Sequence, residues 1–266
     1  MRIIILISLA LVQFSQALIA QEILKSPDNK IIFTLYPEDT LKYSLSRSGE
    51  MLITPSHVFM EFQGKKAVGI RPVIKSVKRH SIADTIVSSV PSKRKLIPDV
   101  YNEMIIGFSG NTSIIIRCYN DGAAFRFGST MRDSVVITKE HLGIGLSSGF
   151  KSWFPAIQPH EGLDRFHTSF EENYKHIPVG EITSVETAFV PVLLHSASGT
   201  ALAITESDVQ DYPGMFITGS ESAGSLQAIF PPYPNQEKVA GETYKQTVVS
   251  SRETYLAKTA GKRLFP

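Results

Sequence analysis

Carboxylates, histidines and a single cysteine are the residues of this chain that could carry chemistry. Acid–base hydrolysis needs two carboxyl groups facing each other across a bond, one protonated and one ionised. The acidic pairs available are Glu171 with Glu172, Glu206 with Asp208, and Glu161 with Asp164. Neighbours on a strand face opposite sides, and residues two apart share a face without spanning a substrate. None of the three reads as an acid–base pair. His160, His167 and His176 match no zinc-ligand spacing, since no Cys pair and no His-Glu-x-x-His accompanies them. No serine-nucleophile elbow and no glycine-rich phosphate loop is expected. Cys118, flanked by Arg117 and Tyr119 within a strand pattern, is expected to be a buried, inert thiol.

These residues must be positioned by strands. The segment IIIRCYNDGAAFRF (114–127) reads as a hairpin: β-branched Ile114 to Ile116, a turn at Asn120-Asp121-Gly122, and a return strand in which Phe125 and Phe127 share a face opposite Arg126. Asp-Gly is expected to supply the positive φ angles of a tight turn. Further strand candidates are Ile31–Tyr36, Lys42–Ser46, Val100–Phe108, Ser134–Thr138, Phe189–Leu194, Ala201–Thr205 and Thr243–Ser250. Fifteen prolines and eighteen glycines spread along the 266 residues fit a turn-rich, all-β chain. Leu163–Lys175 is only marginally helical, and Ser76–Pro98, polar and weakly patterned, reads as a long loop or a hairpin insertion. The pattern predicts a large antiparallel sandwich with few helices.

Charge excludes some functions. Lys and Arg number 27 against 25 Asp and Glu, with no long run of one sign, so neither nucleic acid nor an anionic membrane surface is an expected partner. Residues 1–20 read as a secretory signal: Arg2, an apolar run from Ile3 to Val12, and Ala20 just before Gln21. That run is too short for a permanent membrane span, and the mature region 21–266 is expected in a bacterial periplasm. A lone cysteine forms no internal disulfide, so the apolar core must hold the fold.

Four segments occur in a telling order: SPDNKIIFTLY (26–36), VYNEMIIGF (100–108), RCYNDGAAFRF (117–127) and AITESDVQDYPGMFI (203–217). Together they resemble the N-terminal domain of glycoside hydrolase family 97, bacterial α-glucosidases and α-galactosidases. The resemblance covers about residues 22–266 and sharpens the fold to a many-stranded β-super-sandwich of the galactose-mutarotase type. It implies a non-catalytic domain that packs on a (β/α)8 catalytic barrel, and the closing GKRLFP (261–266) is similar to the segment leading into that barrel. The barrel with its catalytic carboxylates is expected to lie outside this sequence, leaving the chain inactive alone and one face uncovered. In FEENYKHIP (170–178), Glu171 followed by Tyr174 matches the family's calcium-ligand spacing, which implies that Glu171, or else its neighbour Glu172, contributes part of a calcium site shared with the barrel. Trp153, Phe154 and Tyr174 could stack on a sugar, although packing is the expected role. Two rival readings are a stand-alone carbohydrate-binding module and an aldose-epimerase-like enzyme using His167 with Glu171.

Overall fold

The computed structural model describes residues 21–90, 93–222, 224–242 and 245–266. The expected signal at residues 1–20 lies outside them, and among the described residues no helix is long and apolar enough to cross a membrane. The regular structure is almost all strand. The first half contains β1 (Glu22–Lys25), β2 (Ile31–Pro37), β3 (Leu41–Arg47), β4 (Glu50–Phe62), β5 (Ile74–Val87), β6 (Leu96–Phe108), β7 (Thr112–Cys118), β8 (Ala123–Thr130) and β9 (Val135–Leu146). The second half contains β10 (Lys151–Phe154), β11 (Lys175–Pro178), β12 (Thr187–Phe189), β13 (Val192–His195), β14 (Ala201–Ile204), β15 (Phe216–Gly219) and β16 (Ser225–Ile229). It closes with β17 (Pro234–Ala240), β18 (Gln246–Arg252), β19 (Ala257–Thr259) and β20 (Lys262–Leu264). One 3-10 turn, Val179–Glu181, is the helical element among the described residues.

One long sheet organises the rest. It runs β1-β2-β3-β4-β9-β16-β15-β12, with β19 added on β9; two smaller sheets, β20-β8-β7-β6-β5 and β11-β10-β13-β14, pack with it, and β17 and β18 pair as a separate two-stranded ribbon. Period-two alternation decides which side chains meet. On β7, Ile114, Ile116 and Cys118 point inward and are fully buried, while Ile115 and Arg117 point out. They share one core with Met104 and Ile106 of β6 and with Phe33, Leu35, Tyr43 and Met60 of the long sheet. A second core joins Ile144, Ile217 and Leu226 of the same sheet to Phe154, Val192 and Leu194 of the four-stranded sheet. Strand β9 is therefore shared: its first half faces one core and Ile144 the other. Beside it β4 loses register between Thr54 and Val58, where a side chain at Gly145 would collide with Thr54 and Ser56.

Two expectations need correcting, and a third resolves between its alternatives. The turn at Asn120-Asp121-Gly122 is closed by the Tyr119 N–H donating to the Gly122 carbonyl at 2.8 Å, yet neither Asp121 nor Gly122 adopts a left-handed φ. Asn120 instead accepts the Asp28 N–H at 2.9 Å, tying the 26–29 turn to this one. Of the two readings of Ser76–Pro98, the hairpin is the one observed: β5 and β6 pair from Ile74↔Phe108 to Val87↔Leu96. Phe189–Leu194 is two strands, β12 and β13, in different sheets, with the cis Val190–Pro191 peptide between them.

Candidate functional site

The region around Glu171 is built on β10. Alternation buries Ser152 and Phe154 and turns Lys151 and Trp153 outward. The register sets Trp153 opposite His176 of β11 and Leu193 of β13. Its indole stacks on His176 at 4.4 Å, and His176 meets His195 with their Nε2 atoms 2.7 Å apart. Phe154, by contrast, is wholly buried, so it cannot join Trp153 and Tyr174 on an exposed platform. One Trp153 face is taken by imidazole, so at most the other is open.

After Phe154 the chain runs without regular structure to β11, held by named anchors rather than by a ladder. Asp164 accepts from Arg252 Nε and Nη2 at 2.7 and 3.0 Å. Burial pushes the Asp164 carboxyl up, but these bonds and the Phe166 N–H outweigh it and hold the group below its ordinary value. Arg165 donates to Thr187 at 2.6 Å, Phe166 packs on Phe216, and Phe170 and Tyr174 set their edges against Phe189. Phe170 takes a left-handed φ of 62°, and Glu171 follows it into solvent. Glu172 turns back and accepts the Gln158 N–H at 3.3 Å.

A second polar cluster joins the other motifs. Asp208 pairs with Arg126 at 2.9 Å, and Glu206 accepts the Met215 N–H at 2.6 Å. Tyr212 donates to Glu140 of β9 at 2.5 Å. Burial raises the Glu140 carboxyl to about 7; the Tyr212 hydroxyl opposes that and the charge of Glu206 adds to it. Glu103 accepts from Arg117 at 2.8 Å, and Arg117 lies over Tyr101 at 4.4 Å. Asn102 donates to the Lys25 carbonyl at 2.9 Å, so the Tyr-Asn-Glu motif ties strands rather than loops.

The sequence model of the Glycosyl-hydrolase 97 N-terminal family matches residues 24–260. The chain belongs to this family. A retaining alpha-galactosidase from Bacteroides thetaiotaomicron is 27% identical over 246 residues, 91% of this chain but 37% of that enzyme. A glycoside hydrolase family 97 enzyme from Pseudoalteromonas sp. strain K8, solved with panose, superposes with a TM-score of 0.73 at 19% identity over 92% of this chain and 34% of its own. A beta-arabinopyranosidase gives 0.75 at 17%, over 92% and 39%. This glycosyl-hydrolase 97 N-terminal domain thus spans little more than a third of the relatives it matches.

In this family 97 domain the predicted residues fall apart as often as they meet. His160, His167 and His176 do not converge: His176 pairs with His195, and His167 faces Gln246 at 3.5 Å. Among the described residues no group of three or more His, Cys, Asp or Glu could hold a metal. Calcium takes six to eight oxygens, and Glu171 is a single exposed carboxylate with no such group around it among the described residues. A serine motif escaped the sequence reading, for Gly145-Leu146-Ser147-Ser148-Gly149 has the letters of a nucleophile elbow. Here it is the turn after β9, and Ser147 donates to the Met51 carbonyl at 3.2 Å with no histidine partner among the described residues. Glu140 was also missed. It sits in the polar stretch Thr138 to His141, and only the distant Tyr212 reveals its setting.

Proposed function

We propose that this domain serves an exported α-glycosidase by packing against its catalytic barrel and presenting Glu171 as one ligand of a calcium ion held mainly by that barrel. The observation that carries the reading is the exposed Glu171 carboxylate, three residues before Tyr174 on the segment that leads into β11, together with exposed aromatic and aliphatic side chains of the same four-stranded sheet and that segment. Trp153, Leu193 and Tyr174 are 41%, 39% and 44% exposed, a cluster of the kind that a protein partner covers. The relatives, one named an alpha-galactosidase and one bound to panose, point to α-galactosides or α-glucosides as the substrates of the whole enzyme. Calcium bound there would supply positive charge to the reacting centre. Residues of this chain orient it and wall off solvent: the 158–174 segment is pinned by Asp164–Arg252 and by Phe166 and Phe170. The chain's own carboxylates are engaged in structural bonds or stand alone, so the domain is inactive by itself.

The test combines nitrophenyl α-glucoside and α-galactoside hydrolysis with calorimetric calcium titration, for the chain alone and mixed with the matching catalytic domain. Turnover and tight calcium binding are expected only in the mixture, both weakened by Glu171→Gln. Turnover by the chain alone, or calcium affinity unchanged by that substitution, would overturn the reading.

A further inference from the structure

A cleft of about 250 Å³ lies between the Pro231-Pro232-Tyr233-Pro234 segment and the turn at Asp211-Tyr212-Pro213. Arg252, which holds Asp164 of the 158–174 segment, is one of its lining residues, whereas Trp153, Glu171 and Tyr174 are not. We propose that this cleft is an accessory binding site for a neutral saccharide, taking one pyranose ring against Tyr233 and its flanking prolines. The proposal stands independently of the calcium reading.

The wall is assembled before any ligand arrives. Tyr233 N–H donates to the Tyr255 carbonyl at 2.9 Å, and the Glu253 N–H returns a bond to the Tyr233 carbonyl at 2.8 Å. The two tyrosine rings stack at 5.8 Å with planes 22° apart. Arg252 clamps the Pro232 carbonyl at 2.7 Å while its other nitrogens are held by Asp164. Proline's fixed φ removes further backbone freedom. Tyr233 nevertheless stays 50% exposed. A stiff aromatic that costs no ordering on binding is what a weak-affinity ligand needs.

The chemistry of the lining selects the ligand. Tyr212 offers only its ring, because its hydroxyl is spent on Glu140. Arg252 is held by three hydrogen bonds and its charge is paired with Asp164. The groups left to bond a ligand are Asp211, whose side chain is 81% exposed and only 3.7 Å from Arg263, and the exposed Lys258. One anion and one cation beside tyrosine and proline rings suit a molecule with an apolar C–H face, a rim of hydroxyls and no net charge. An apolar ligand would strip water from both charges without replacing it. An anionic one would meet Asp211. The volume lies just below the roughly 300 Å³ at which drug-sized pockets begin, which favours one ring of an oligosaccharide over a long peptide groove.

Titration of the full chain with maltotriose and with raffinose, followed by tyrosine and backbone NMR shifts, tests this. Saturable binding of at least one saccharide is expected, with shifts confined to residues 211–213, 231–234 and 252–258. Tyr233→Ala should weaken it by about tenfold or more, and Asp211→Asn, at an exposed position that does not threaten folding, by a smaller factor. Trp153→Ala and Glu171→Gln should leave it unchanged, which separates this site from the proposed calcium region. Absence of saturation with both sugars overturns the proposal. So does binding that follows Trp153 instead of Tyr233, or a proline-rich peptide that saturates the cleft where neither sugar does.

Discussion

Replacing Glu140 by glutamine should stabilise this protein, and only above acidic pH. The carboxyl is raised from 4.5 to about 7, chiefly by burial. A carboxyl whose pKa is higher folded than unfolded binds its proton more tightly in the native state. Its contribution is therefore intact below pH 4.5, fades as pH rises, and is lost above 7. The difference is worth at most ~3 kcal/mol, and at ~2–4 °C per kcal/mol for a domain of this size the ceiling is roughly 6–12 °C in Tm. Glutamine keeps an oxygen for the Tyr212 hydroxyl, which now donates at 2.5 Å, and carries no charge to desolvate. Thermal melts of both proteins should coincide at pH 4 and separate by several degrees at pH 8, glutamine higher. A constant gap across that range, or a glutamine variant less stable at pH 8, would refute the argument and mean that Glu140 is ionised and well solvated.

Other perturbations have equally definite outcomes. Cys118 is fully buried and its thiol is pushed up to about 12 by burial, so a thiol reagent at pH 8 should react only as fast as the protein unfolds; prompt labelling of native protein would contradict its place in the core. Ile116→Ala removes a fully buried side chain between the two sheets, and urea unfolding should register a loss of ~2–5 kcal/mol. Arg252→Ala cuts both bonds to Asp164 and the one to Pro232, so limited proteolysis should begin within 158–174 while near-ultraviolet dichroism of the core persists.

Legibility in the sequence followed burial. The 114–127 hairpin could be read because one face is apolar and the other is not, and Ile114, Ile116 and Phe127 do lie inside. Strand β5 could be read only as a loop or one arm of a hairpin insertion, because its burial pattern is exposed almost throughout: with no buried face, the period-two signal has nothing to write it. The Asp-Gly turn misled because Asn120 had a second use, bonding a backbone N–H 92 residues earlier in the chain. Phe189–Leu194 looked continuous because both halves are apolar, yet Phe189 and Val192 serve different cores.

The same reasoning explains why candidate chemistry was harder to read than fold. Local pattern reports whether a side chain is inward, but a site is a statement about which inward or outward groups meet. Glu140 owes its raised carboxyl to burial, and its hydrogen-bond partner Tyr212 lies 72 residues away, while Arg252 reaches Asp164 across 88. Glu171 could be singled out only by a resemblance, since among the described residues no group of three or more His, Cys, Asp or Glu gathers around it; any role for an exposed carboxylate on an anchored segment depends on what is brought against it. A cleft such as that beside Tyr233 is different in kind, because proline and tyrosine in one short run already supply the rigidity and the ring face. The testable distinction is then whether ligand affinity belongs to the domain by itself, as the Tyr233 cleft requires, or arises only in a complex, as Glu171 requires.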